Sequence, residues 1–278
     1  MELESQLEGF RKRGLGVAAL SYDSVAILKD FARRKRISFP LLSDPESKVI
    51  RAFGIQNEAD YPPGNLAHGV PYPGTFVTDA KGIVRARYFE RTYAERRTAA
   101  SALTLAGDLP STGASDTSTT PTFTLRTSSS NATAAPGQRV TLVLDFEMKP
   151  RMHAYAPGVT GYRPLHLRLD THPLLTAHET AWPASKPYRF APLDETVPVF
   201  EGRFRVTRDV TLAGGREFVE LLKAPAPALD LVGTLEYQVC SDKVCYAPAS
   251  LTLRWTIKVE PLDRERSPEA IRHPSSRP

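Results

Sequence analysis

"DLPSTGASDTSTTPT", residues Asp108 to Thr122, is rich in Ser, Thr, Pro and Gly and has no periodic apolar positions. That is linker composition, and the sequence on its two sides follows different rules. Upstream, apolar residues recur at helical spacing between short apolar runs. Leu3, Leu7 and Phe10 line one helix that closes at Gly14. "LGVAALSYD" reads as a buried parallel strand, and "SVAILKDFARRKRI" as a helix with Ser24 as N-cap. "FPLLSDP" leads into a short helix, "ESKVIRAFGI", that ends at Gly54. "GTFVTDAKGIVRARYFE" is a β-hairpin and "RTYAERRTAASALTLAG" a closing helix. The order α-β-α-α-β-β-α is an α/β pattern.

Downstream the period changes to two. "TFTLRTSSS", "QRVTLVLDFEM", "LHLRLD", "FEGRFRVTRDVTL", "LVGTLEYQVC" and "ASLTLRWTIKV" alternate apolar and polar residues, with Pro and Gly between them. Repeated short strands without an intervening helix of useful length predict an antiparallel β-sandwich. The expected organisation is therefore an α/β part over residues 1–107, a linker over 108–122, an all-β sandwich over 123–262 and a polar, disordered tail over 263–278. Asn131-Ala132-Thr133 is a chance sequon at a loop edge.

Composition narrows the function classes. Hydrophobic content of 41% and charged content of 24% are globular values. A net charge of +5, with its basic residues scattered, is weak support for nucleic acid. The cluster Arg33-Arg34-Lys35-Arg36 reads as a solvated helix end. No apolar run approaches the ~20 residues of a membrane span, so no membrane helix is expected. "MELESQLEGFRKRG" is unlike a signal peptide. It opens as if within a helix, with no N-cap before Leu3, so sequence upstream of it is expected.

Chemistry concentrates in "EYQVCSDKVCYAP", Glu236 to Pro248, which holds both cysteines of the chain. A Ser-Asp-Lys-Val turn between strands brings its flanking residues to about 4.5–5.5 Å, inside the distance a disulfide needs. Such a bridge closes a tiny loop and constrains the unfolded chain little. Short, turn-imposed bridges are characteristically labile. Redox exchange therefore leads, with a passive disulfide, idle thiols and a metal clip as alternatives. The histidines at 153, 166, 172, 178 and 273 offer no second ligand pair at a zinc spacing, and no cofactor is expected.

Two resemblances sharpen the reading. "LGVAALSYDS…FARRKRISFPLLSDPESKVIRAFGI…GVPYPGTFVTDAKGIVRARYF" resembles the peroxiredoxin, or thiol-specific antioxidant, group of thioredoxin-like folds. The resemblance implies a thioredoxin-like domain, incomplete here because the family's first strands and peroxide-reacting cysteine lie upstream of a segment like Glu2–Gly14. Peroxide reduction needs a thiolate, and no cysteine precedes Cys240. The same likeness makes Pro73, before Gly74-Thr75-Phe76, a candidate cis-proline. His68, in "LAHGVPYP", reads as a surface residue.

"EYQVCSDKVCYAP" in turn resembles the active-site hairpin of the N-terminal domain of the thiol:disulfide interchange family DsbD, an immunoglobulin-like sandwich. It has one residue fewer between the cysteines than the family prototype. The resemblance implies that Cys240 and Cys245 exchange electrons with a thiol- or disulfide-bearing redox protein. Tyr155 and Tyr162, in "MHAYAPGVTGYRPLHLRL", would pack beside the sulfurs. Asp194 and Glu195, in "DETVPVFEGRF", would sit in or next to a cap loop over them. A solvated acidic turn and plain core tyrosines are the alternatives. A labile pair belongs in an oxidising compartment, the bacterial periplasm or outer surface, and the cytoplasm is expected if the start is genuine. The rival class is a non-catalytic interaction module with a static bridge.

Overall fold

The computed structural model describes residues 2–65, 68–90, 95–105, 113, 115–190 and 194–272. It divides the chain into one unit of residues 1–102 and 262–278 and a second of residues 103–261.

In the first unit, α1 (Glu2–Arg11) buries Leu7 and Phe10, the positions its helical spacing marked. β1 (Ala19–Ser21) leads to α2 (Val25–Lys35), where the Ser24 hydroxyl accepts the Ile27 N–H at 3.4 Å and Arg36 ends the helix at φ 52°. β2 (Leu41–Ser43) pairs in parallel with β1. Asp44 then receives the N–H groups of Lys48 and Ile50 at the start of α3 (Lys48–Ala52). β3 (Gly74–Thr78) and β4 (Val84–Phe89) form the expected hairpin. Its turn is held by Asp79 Oδ1, which accepts from Lys81 and Ile83, and by Gly82 at φ 77°. β5 (Arg96–Arg97) follows, and then α4 (Ala99–Leu105), which spans the boundary at residue 102.

Four expectations for this unit need correction. Only Ala19–Ser21 of the apolar run is strand, in a two-stranded pair with β2 among the described residues, and Leu20 is 37% exposed. The closing helix is shorter than the run that announced it, as Arg96–Arg97 are extended; residues 91–94 lie outside the described residues. Pro73 is trans, since no cis peptide occurs among the described residues. The trans form is the cheaper one, and it leads directly into β3 with the Pro73 carbonyl accepting the Glu90 N–H. Finally, the tail is ordered as far as Arg272, with a 3₁₀ turn at Glu269–Ile271. Charge explains this: Lys35 pairs with Asp263 and Glu265, and Arg34 with Glu265. The cluster read as a solvated helix end is therefore partly covered.

The second unit is built of strands. One sheet runs β12 (Leu175–Ala181), β15 (Arg203–Leu212), β9 (Gln138–Met148), β7 (Phe123–Ser129), β6 (Asp116–Thr119). A second runs β11 (His166–Leu169), β16 (Ala228–Tyr237), β18 (Ala249–Val259), β8 (Thr133–Ala134), and α5 (Arg216–Leu221) is a short helix between β15 and β16. Leu142, Leu144, Val206 and Val210 of the first sheet pack with Leu231, Leu235, Trp255 and Ile257 of the second in one buried cluster, the alternate residues of each strand. Part of the linker is therefore structured: Asp116–Thr119 pair with Thr124–Thr127, offering hydroxyl-bearing residues that suit an edge strand. Asn131 is buried, its side chain accepting from Ser130, so the sequon is not exposed.

A third, smaller sheet positions the cysteines. It runs β13 (Lys186–Phe190), β14 (Glu195–Glu201), β10 (His153–Tyr155), β17 (Val239–Cys240). The runs "FEGRFRVTRDVTL" and "LVGTLEYQVC", each read as one strand, are each divided between sheets. Gly202 at φ 67° turns β14 into β15, and the chain leaves β16 at Tyr237 to enter β17.

Candidate functional site: a disulfide under a tyrosine pair

β16 and β18 pair from Ala228↔Lys258 to Tyr237↔Ala249, and residues 238–248 are the excursion at the end of that hairpin. Its first arm, β17, adds to β10 with Cys240 opposite His153. A tight turn follows: the Ser241 N–H donates to the Val244 carbonyl at 2.8 Å, and Ser241 Oγ accepts from Lys243 and Val244. Tyr246 N–H then returns to the Val239 carbonyl. The two cysteines meet as an isolated antiparallel pair with Cα atoms 4.0 Å apart and are joined as a disulfide.

The two sulfurs sit in unlike surroundings. Cys240 is 1% exposed, in a small cluster with Tyr155 and Val199. Cys245 is exposed, flanked by the exposed Val244 and Tyr246. The Tyr155 hydroxyl lies 3.1 Å from Cys240 Sγ as a donor and 3.6 Å from Cys245 Sγ. Burial pushes the Tyr155 phenol up to about 12, reinforced by Tyr162, Tyr188 and Glu195, so it keeps its proton across the neutral range. Tyr162 stacks on Tyr155 with ring centroids 4.3 Å apart. Its hydroxyl donates to Glu195 Oε2 at 2.7 Å, a bond that raises the Tyr162 phenol as well.

Of the predicted site residues, Cys240, Cys245, Tyr155, Tyr162 and Glu195 are thus linked in one constellation. Asp194 is not part of it: it is exposed and pairs with Arg189 at 2.8 Å. Residues 191–193, between β13 and β14 in the sequence, lie outside the described residues. Pro73 and His68 belong to the other unit, where His68 Nδ1 bonds the Tyr61 carbonyl. Sequence reasoning missed His153. It is 3% exposed, 4.1 Å from the Tyr188 ring and edge-on to Tyr155, and burial lowers its pKa. Its position two residues before Tyr155 on the same strand face was the available signal. Among the described residues no group of three or more His, Cys, Asp or Glu side chains converges as a metal ion would need.

The chain matches two known families in succession. Residues 1–87 match the AhpC/TSA family, and residues 123–256 match the N-terminal part of thiol:disulfide interchange protein DsbD. Among curated proteins, Peroxiredoxin Q, chloroplastic, of Triticum aestivum is 36% identical over 81 residues, 29% of this chain and 34% of that protein. Its namesake in Sedum lineare is 35% identical over 81 residues, 29% of this chain and 40% of that protein. The chain thus spans well under two thirds of these relatives. Among solved structures, the N-terminal periplasmic domain of ScsB from Proteus mirabilis overlaps 50% of this chain and 49% of its own, at 15% identity and a TM-score of 0.36.

Proposed function

We propose that the second unit carries out thiol–disulfide exchange through Cys240 and Cys245, as an immunoglobulin-like redox domain joined to a peroxiredoxin-like domain. The observation that carries this reading is the unequal exposure of two bonded cysteines, Cys245 an exposed residue and Cys240 buried beneath a hydroxyl donor. A partner thiolate attacks Sγ of Cys245, the exposed residue of the pair. The S–S bond breaks and Cys240 leaves as a thiolate, stabilised by the Tyr155 O–H until it takes a proton from solvent. The partner's second thiol then attacks its own sulfur in the mixed disulfide and releases Cys245. Two electrons and two protons have moved from the partner dithiol to this chain. Run backwards, the same steps reduce a partner disulfide.

The matched N-terminal region contains no cysteine, so residues 1–87 themselves supply no thiolate to attack a peroxide. In a protein that carries one, the sandwich would recharge it within the same polypeptide. Exchange of this kind belongs in an oxidising compartment such as the periplasm. The test is trapping by thioredoxin with its second cysteine changed to Ser and its first carried as a 5-thio-2-nitrobenzoate mixed disulfide, so that thiolate attack by the chain releases thionitrobenzoate. Cys240→Ser should accumulate a mixed disulfide on Cys245, whereas Cys245→Ser should accumulate far less, its remaining thiol being buried. Redox titration with thiol labelling should give a potential near about −200 mV. A value below about −300 mV would mark an inert bridge and favour the static interaction module instead.

A further inference from the structure

An open groove of about 360 Å³ is walled by Pro157, Pro164, Leu165 and Trp182, and the Leu165 N–H donates to the carbonyl of Tyr155 at 2.9 Å. The exchange chemistry uses none of these residues. Leu165 forms the buried floor, and Trp182, stacked at 6.1 Å on Phe200, is only half-buried. One side chain is hydrogen-bonded to both the groove and the cysteine hairpin. Gln238 Oε1 accepts the Arg163 N–H at 3.1 Å, and Gln238 Nε2 donates to the carbonyl of Tyr246, the neighbour of Cys245. Arg163 lines the groove with an exposed guanidinium that has no ion-pair partner among the described residues. Of the other groove residues, His166 has its Nδ1 3.6 Å from Glu236 Oε2.

We infer that this groove is a docking subsite for the redox partner's polypeptide, selecting a segment with an aliphatic side chain and an acidic residue close to its reacting cysteine. The aliphatic group fills the space over Leu165 against Trp182, and the carboxylate pairs with Arg163. An unpaired exposed cation beside an apolar slot is the complement of that sequence, and its attachment through Gln238 to Tyr246 sets the reach at a few residues from Cys245. The subsite rests on exchange at Cys245 and adds to it a preference among thiols.

The probes are the synthetic peptides Cys-Gly-Leu-Glu amide and Cys-Gly-Leu-Lys amide, with 2-mercaptoethanol as a thiol too small to use the groove. Each is mixed with the oxidised full chain. The rate at which Cys240 and Cys245 become labelled is measured; two probe thiols are oxidised to one disulfide as the protein gains its two thiols. The Glu peptide should open the bridge about fivefold faster than the Lys peptide, the size of a partly exposed charge contact. Arg163→Glu should reverse that order and leave the 2-mercaptoethanol rate unchanged. This variant keeps the backbone N–H that holds Gln238, so folding is not at stake. Trp182→Ala should slow both peptides and spare 2-mercaptoethanol. Equal rates for the two peptides, with 2-mercaptoethanol opening the bridge normally, would overturn the subsite alone. Failure of 2-mercaptoethanol to open the bridge in the folded protein would overturn the exchange reading and the subsite with it.

Discussion

Tyr155 and His153 stand on the same strand face and respond to burial in opposite directions, one phenol raised and one imidazole lowered. Each consequence is measurable. Tyr155→Phe keeps the ring stacked on Tyr162 and removes only the donor to Cys240 Sγ. A lost hydrogen bond to a developing thiolate is worth about 1.5 kcal/mol or more, so attack on Cys245 should slow by about tenfold, read as the rate of mixed-disulfide formation. An unchanged rate would remove Tyr155 from the mechanism. His153 acts on stability. Its environment is the Tyr155 and Tyr188 rings and Glu201, its strand partner, whose charge only partly offsets burial. The unfolded chain takes up a proton at the ordinary value of 6.5, whereas the folded chain resists it to lower pH. The unfolded state then holds more protons, and stability falls as pH drops below 6.5. His153→Phe should flatten that acid limb of the thermal midpoint; an equally steep limb would assign it to other groups.

Strand pairing explains which parts of the fold were legible. Alternation in β9, β15, β16 and β18 was plain because each has one face on a common core. β12 and β13 went unread: their burial alternates only between exposed and intermediate, so their sequences carry too few apolar residues to mark a period. The cysteine hairpin was readable as a turn, but not the crossing of Val239–Cys240 into a third sheet, which depends on β10 being near. Nor could spacing tell which sulfur is buried. Gly233 is a sharper case, an isolated glycine in a strand whose reason is spatial. A Cβ there would lie 2.8 Å from Leu169 Cδ2 and 3.0 Å from the Arg168 carbonyl. Gly233→Ala should push β11 off β16 and cost about 1–3 kcal/mol in denaturant unfolding. A cost near zero would mean that β11 yields freely. β11 also carries His166, on the rim of the docking groove, so the same variant should weaken any preference between the peptide probes.

At the scale of the whole chain, the first unit is closed by residues from the far end of the sequence. Asp263 and Glu265 reach Lys35, and Glu265 also reaches Arg34, which is held in turn by Asp30 at 2.8 Å and bonds Ser267 Oγ. The Lys35 and Arg34 side chains are only 17% and 13% exposed, so the tail seats them instead of merely touching them. The pairing holds the Asp263 and Glu265 carboxyls below their usual range and the Lys35 ammonium above its own. A clasp made of charges at a surface is weakened by salt, because screening within about 10 Å acts on every pair at once. Arg264 and Arg266 lie inside the clasped segment and are trypsin sites. Cleavage there should be slow in dilute buffer and speed up severalfold at about 0.5 M salt, where the Debye length falls to a few ångström. Lys35→Glu should give the fast rate without added salt, since it replaces attraction with repulsion toward both tail acids. Asp263→Asn with Glu265→Gln, in the otherwise unchanged chain, should give the same fast rate, because it removes the tail's side of both pairs and adds no trypsin site. Cleavage at Arg264 and Arg266 that ignores salt and charge reversal alike would show that the tail is held by something other than these ion pairs.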